Sequence, residues 1–300
     1  MLQWARLQSV IVYDETVVSE GLDGYRVLVL MDCDVLTAGV VAIIHAFQKK
    51  GGLIVGDERL CPAVKADIVV QSYTRTRKAG EDRAALFAKA EALRAALDGC
   101  YRGYGDSSCP DVVTRCRAYG KTDYLFAVND RREFGDYVGQ HGLVMENGLP
   151  SEATLSLSRT SGHVYDLVAG KELAATASGG ALTVRREFGP CEGCVLMVTD
   201  TALEGVRVEV PDSVKRGEAL ACRIGVMDKA GHPLDAVVPV RVEISDPSGC
   251  EAEGSGYYGA KDGRMELTLD LAPNDRVGLW QIRVRELASG LEAVRYFRVI

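Results

Sequence analysis

Residues 22–58 read LDGYRVLVLMDCDVLTAGVVAIIHAFQKKGGLIVGDE, and this stretch decides how the first third of the chain is understood. Val27 to Met31 and Leu53 to Val55 are short, continuous apolar runs, the pattern of strands covered on both faces. Between them Val40, Ile43, Ile44 and Phe47 recur at i, i+3, i+4 and i+7, which places them on one helical stripe. Thr37 stands where an N-cap is wanted, and Gly51-Gly52 stands where a helix stops. Strand, helix and strand within about 30 residues predict a βαβ unit with parallel strands.

Working outward, Val10 to Tyr13 (VIVY) reads as a further buried strand, and Asp82 to Asp98 as a helix with Leu86, Leu93 and Leu97 on one face. The expectation for residues 1–115 is therefore an α/β layer domain, a Rossmann- or flavodoxin-like parallel sheet. A loosened stretch rich in Gly, Tyr, Ser and Pro, residues 100–118, marks its end. Beyond it the apolar period changes from 3.6 to 2. Short strands are predicted at 123–128, 153–157, 164–167, 182–185 and 195–198, with turns at Asn129-Asp130, Asn147-Gly148, Ser161-Gly162 and Gly179-Gly180. A second β pattern follows at 206–210, 219–227, 238–245, 265–271, 279–286 and 293–299. Two antiparallel β-sandwich domains, 116–204 and an immunoglobulin-like 205–300, complete the expected order.

Three hundred residues exceed what a single core usually serves, so more than one domain is expected. Net charge is −7 and no basic stripe gathers, which argues against nucleic acid as a partner. No apolar run is long enough to span a membrane as a helix, and the opening MLQWARLQSVIVYDE lacks the pattern of a signal peptide. Its abrupt entry into VIVY suggests a chain cut from a longer one, or a translation start inside a longer ancestor. Nine scattered cysteines do not form a disulfide framework, and most are read as small buried apolar residues.

The stretch 22–58 resembles the glutamine-amidotransferase-like domain that follows the catalytic barrel in family 42 β-galactosidases, through its tyrosine, apolar strand, short loop, helix, Gly-Gly and apolar strand. That domain is associated with subunit assembly. Residues 123–130 (DYLFAVND), 164–173 (VYDLVAGKEL) and Phe188-Gly189-Pro190 before Val195 to Val198 resemble the small β domain that ends many glycoside hydrolases. The last segment is similar to bacterial immunoglobulin-like or macroglobulin-type sandwiches. The resemblance implies a non-catalytic accessory or assembly region of a carbohydrate-processing protein. Its partners would be an upstream catalytic domain or a homo-oligomer mate, with oligosaccharide as a further ligand class. It also suggests an exported parent.

An active amidotransferase needs a glycine-framed cysteine and a histidine. Cys33 instead lies between Asp32 and Asp34, whose carboxylates blunt a thiol, and Cys61 precedes Pro62. The rival constellation is acidic: Asp32 and Asp34 follow one strand, Asp57 and Glu58 the next. Four carboxylates at the carboxyl edge of a parallel sheet suit a hydrolase or transferase with a divalent ion or an acid/base pair, or else they cap helices and line solvated loops. Cys191-Glu192-Gly193-Cys194 has half of a zinc spacing but no second half, and reads as a turn. Asn129, Asp130, Arg131, Arg132 and Tyr137 could grip a sugar, with an aromatic ring to stack and polar groups for hydroxyls; a solvated hairpin has the same composition. His45, His141, His163 and His232 do not pair at ligand spacing, and no cofactor or resident metal is implied. A cell-surface adhesion module is the third reading left open.

Overall fold

A computed structural model of the chain describes residues 1–76, 78–134, 138–139, 142–143 and 146–300. The chain divides into two compact units, Met1–Tyr104 and Gly105–Ile300.

The first unit holds α1 (Asp14–Glu20), β1 (Val27–Leu30), α2 (Ala38–Lys49), β2 (Leu53–Gly56), β3 (Ile68–Val69) and α3 (Ala79–Leu97). The predicted βαβ unit is present. β1 and β2 run parallel, Val27 opposite Leu53 through Leu30 opposite Gly56. Thr37 caps α2 by accepting the amide of Val40 at 3.4 Å. Val40, Ile44 and Phe47 are buried on the inner stripe of α2, while Leu93 and Leu97 of α3 join Val55 in a second cluster. Gly52 lies under the ring of Phe47, where a Cβ would sit 2.3 Å from it.

The Rossmann- or flavodoxin-like expectation is not met. Among the described residues the parallel sheet has three strands, in the order β1-β2-β3, and β3 is two residues long. A doubly wound sheet reverses its strand order to make a ligand crevice; here the order is sequential, and a turn rather than a helix connects β2 to β3. Val10 to Tyr13 forms no strand. With that sheet goes the amidotransferase-like assignment. The chain is predominantly β and mostly antiparallel.

The second unit begins with β4 (Gly105–Ser107), β5 (Val112–Tyr119), β6 (Thr122–Asn129), β7 (Arg132–Phe134), β8 (Val138–Gly139), β9 (Gly142–Leu143) and β10 (Glu146–Gly148). It continues with β11 (Ser151–Leu157), β12 (His163–Asp166), β13 (Lys171–Leu173), β14 (Thr176–Ser178), β15 (Ala181–Phe188) and β16 (Gly193–Thr199). Two sheets, β14-β15-β11-β4 and β13-β12-β16-β6-β5, face each other over Leu125, Ala127, Leu155, Leu182, Leu196 and Val198. Alternate residues of β6 point inward, as a period of 2 requires.

The rest comprises β17 (Leu203–Glu209), β18 (Ser213–Val214), β19 (Ala219–Asp228), β20 (Val237–Ser245), β21 (Gly256–Lys261), β22 (Arg264–Asp270), β23 (Gly278–Glu286) and β24 (Glu292–Val299). These strands make one eight-stranded sheet, β17-β19-β22-β21-β20-β23-β24-β18. Its β21–β22 join rests on the single pair Lys261 and Arg264. Side chains from both sides of that join, among them Ile224, Val242, Ile282 and Phe297, share one core. Trp280 is buried there, 5.9 Å from the ring of Phe297, and donates its indole N–H to the carbonyl of Arg276.

The five-stranded sheet is buried on both faces along part of its width. Leu196 and Val198 of β16 enter the first β core, while Met197 between them and Tyr165 on β12 enter the core of the eight-stranded sheet. This double burial explains the unbroken run VLMV, which alternation alone would not produce. At the same seam the hydroxyl of Tyr124 donates to the carbonyl of Val237 at 2.8 Å and accepts from its amide at 2.7 Å. Thr122 donates to the carbonyl of Asp235 at 2.7 Å, and Tyr165 accepts the amide of Leu203 at 2.9 Å.

Candidate functional site

The loops after β1 and β2 carry the acidic residues singled out above. Asp57, at the end of β2, is buried, and both of its oxygens are occupied by main-chain donors. Oδ2 accepts the amide of Asp32 at 2.9 Å, and Oδ1 that of Arg59 at 3.1 Å. Asp32 adopts a left-handed φ of 57°, and its Oδ1 accepts from Nη1 of Arg59 at 3.1 Å. Asp32 and Asp57 are thus brought together as a clasp between two loops. Glu58 turns elsewhere and accepts from both the hydroxyl and the amide of Ser72, bonds that hold its carboxyl down at about 2. Asp34 is exposed. Cys33 has its thiol pushed up chiefly by burial, then by the carboxylates of Asp57, Asp14, Asp32 and Asp34. Among the described residues no group of three or more His, Cys, Asp or Glu side chains is disposed to hold a metal ion.

The polar stretch after β6 divides between structural and exposed roles. Asn129 is fully buried; its Nδ2 donates to the carbonyls of Leu149 and Gly189, both at 2.8 Å, and its Oδ1 accepts the amide of Arg131. Asp130 pairs with Arg132 at 3.1 Å on the surface. Arg131 donates to the carbonyl of Pro150 and lines an open cleft of about 620 Å³ together with Ser151, Glu152, Glu187 and Glu192. Tyr137 lies outside the described residues. The Cys191–Cys194 motif is a turn whose two thiols diverge, Cys191 exposed with φ 57° and Cys194 buried.

Two polar clusters were not anticipated. Asp166, wholly buried at the end of β12, accepts the amides of Val168 and Ala169 through Oδ1 and faces the guanidinium of Arg186 through Oδ2. Arg186 also reaches Glu192 at 3.1 Å. Arg159, nearly buried, donates to Asp123 at 2.8 Å, to Asp200, and to the carbonyls of Lys121 and Val198. The sequence phrase Tyr165-Asp166-Leu167 with Gly170 is therefore structural. Tyr165 sits in the seam, Asp166 in the ion pair, and Gly170 (φ 62°) donates to the carbonyl of Asp166 at 2.7 Å to close the turn. An Asp placed four residues before a turn glycine was the available signal.

Comparison with protein-family models finds no match, and comparison with the curated proteins finds none. Among solved structures the chain is similar to α-L-fucosidase isoenzyme 2 from Paenibacillus thiaminolyticus, at 14% identity and a TM-score of 0.48, covering 66% of this chain and 43% of that one. It is similar to the apo exo-carrageenase GH42 from Bacteroides ovatus at 12% identity and a TM-score of 0.36, covering 66% of this chain and 25% of that one. A superoxide reductase (neelaredoxin) from Ignicoccus hospitalis aligns over 33% of this chain and 82% of its own length, at 16% identity and a TM-score of 0.25. Glycoside hydrolases thus stand among the structural neighbours, at identities and scores that assign neither a family nor an activity. No helix among the described residues is long and apolar enough to cross a membrane.

Proposed function

We propose that the chain is a non-catalytic assembly region of a carbohydrate-processing protein, and that it associates with a second copy of itself through residues 10–18. The observation that carries the reading is the apolar surface of that segment. Ile11 is 81% exposed and Tyr13 67%, and Val10 and Val18 beside them are also exposed. Such side chains gathered in nine residues are costly to leave in water and suit a covered face. The occupation of Asp57 by two amides, and of Glu58 by Ser72, supports structural work for the acidic loops over acid/base work. The carbohydrate setting comes from the sequence resemblance of residues 123–130 and 164–173 to the closing β domain of glycoside hydrolases.

The test is the light-scattering mass of the full chain beside Ile11→Asp and Tyr13→Asp. The reading expects a dimer or higher oligomer that either variant converts to monomer with unchanged circular dichroism. A wild-type chain that stays monomeric at tens of micromolar would overturn it.

A further inference from the structure

We infer that Cys33 and Cys61 form a reversible dithiol–disulfide pair that locks the two acidic loops of the first unit together. The amide of Cys61 donates to the carbonyl of Cys33 at 2.8 Å. A main-chain bond of that kind sets the two residues' backbones side by side, on the scale of the roughly 4.4–6.8 Å Cα separation that a disulfide spans. Both cysteines are free and partly exposed, so a small oxidant reaches them from solvent. They sit on different loops, one following β1 and one following β2, which the Asp57–Asp32 and Arg59–Asp32 bonds already hold side by side.

The other cysteines frame the choice. Cys194 and Cys222 are buried, and their thiols are pushed up to about 11 by burial; Cys109 and Cys116 are partly buried against the first β core, where burial also pushes Cys116 up to about 11. Cys100, Cys191 and Cys250 are exposed, on the tail of α3, the β15–β16 turn and the β20–β21 loop respectively. In Cys33 the thiol donates weakly to the carbonyl of Met31 at 3.5 Å, an arrangement that a rotation about χ1 gives up. Burial, and after it the carboxylates around Cys33, disfavour its thiolate, so closure is slow near neutrality and accelerates as pH rises.

The chemistry is thiol–disulfide exchange with a small-molecule disulfide such as oxidised glutathione. A thiolate of the pair attacks one sulfur of the oxidant, forming a mixed disulfide and releasing one reduced thiol. The second protein thiolate then attacks the protein-bound sulfur, forming the Cys33–Cys61 bond and releasing the second reduced thiol. The two protein thiols give up two electrons and two protons, and the oxidant gains both.

The experiment uses the full chain with Cys100, Cys191 and Cys250 changed to Ser. The protein is held in excess oxidised glutathione, quenched by alkylation and digested with trypsin, against a sample kept in reductant. The expected product is a peptide 27–49 joined to peptide 60–65, two hydrogens lighter than the sum and split by reductant. Its formation should be at least tenfold faster at pH 9 than at pH 7. Cys61→Ser and Cys33→Ser should each abolish it, leaving the remaining cysteine alkylated or glutathionylated. Recovery of Cys33 and Cys61 as separate alkylated or separately glutathionylated peptides in the parent chain would overturn the inference.

Discussion

Changing Asp166 to Ala removes a wholly buried carboxylate from Arg186, itself mostly covered, and leaves that guanidinium with Glu192 as its ion-pair partner. Removing one partner of a buried pair costs about 3–5 kcal/mol, because the remaining charge stays desolvated. The amides of Val168 and Ala169 lose their acceptor as well, but they border an exposed turn and can turn to water. With a urea m-value of about 2–3 kcal/mol/M, the loss moves the midpoint down by roughly 1–2 M. The chain has two tryptophans, so Trp4→Phe leaves Trp280 as the sole reporter, inside the core that Tyr165 and Met197 share. Because that seam ties the sheets together, the Trp280 transition should shift along with far-ultraviolet circular dichroism. The double change Asp166→Asn with Arg186→Met should recover a good part of the loss, since it removes both charges. A shift below about 1 kcal/mol for Asp166→Ala, or a Trp280 transition that stays in place, would refute the reasoning.

Three further outcomes follow from individual groups. Tyr165→Phe leaves the amide of Leu203 buried without its acceptor and should cost about 1–3 kcal/mol by urea denaturation. Burial pushes the Tyr165 phenol up to about 12, above its ordinary value near 10. Its contribution is therefore complete below pH 10 and lost as pH rises toward 12, so the alkaline limb of the stability curve should flatten there in Tyr165→Phe. Glu58 titrates in the opposite sense: its depressed carboxyl, at about 2, adds stability above roughly pH 4.3 that disappears as pH falls toward 2. Acid unfolding of Glu58→Gln or Ser72→Ala should be less steep across that window. Finally, Ellman's reagent on the native chain at pH 8 should label the exposed Cys100, Cys191 and Cys250 in seconds to minutes. Cys194 and Cys222, each buried and pushed up to about 11 by that burial, should wait for unfolding; fast labelling of these two would contradict the packing.

The helix α2 was legible because its stripe, its Thr37 cap and its Gly51-Gly52 stop all point the same way. The longer antiparallel strands β6, β11, β12, β15 to β17, β19, β20 and β22 to β24 were legible for the same reason, since alternation and turn residues agree, whereas the short β7 to β10, β13, β14 and β18, and β21, were not foreseen. The layer domain was misjudged on Val10 to Tyr13. Four apolar residues cannot declare whether they lie in a sheet or on a surface, and here Val10, Ile11 and Tyr13 face solvent. Strand β5 escaped notice because Arg115 and Arg117 interrupt VVTRCRAY and because Gly, Ser and Pro precede it. The acidic loops were visible as a spacing, but the donors that occupy them, Ser72 and the amides of Asp32 and Arg59, come together only through the parallel pairing of β1 with β2. The buried Asp166–Arg186 pair lies 20 positions apart on different sheets, beyond any local pattern.

The most direct test of the account is calorimetric unfolding of the full chain with and without millimolar Mg²⁺ or Ca²⁺, beside Asp57→Asn. Asp57 is a clasp for two amides, so wild-type transitions should be indifferent to either ion, while Asp57→Asn unfolds earlier under all conditions. A wild-type transition raised several degrees by the ion, with the rise lost in Asp57→Asn, would mean that the acidic loops bind a cation, and the non-catalytic reading would fall.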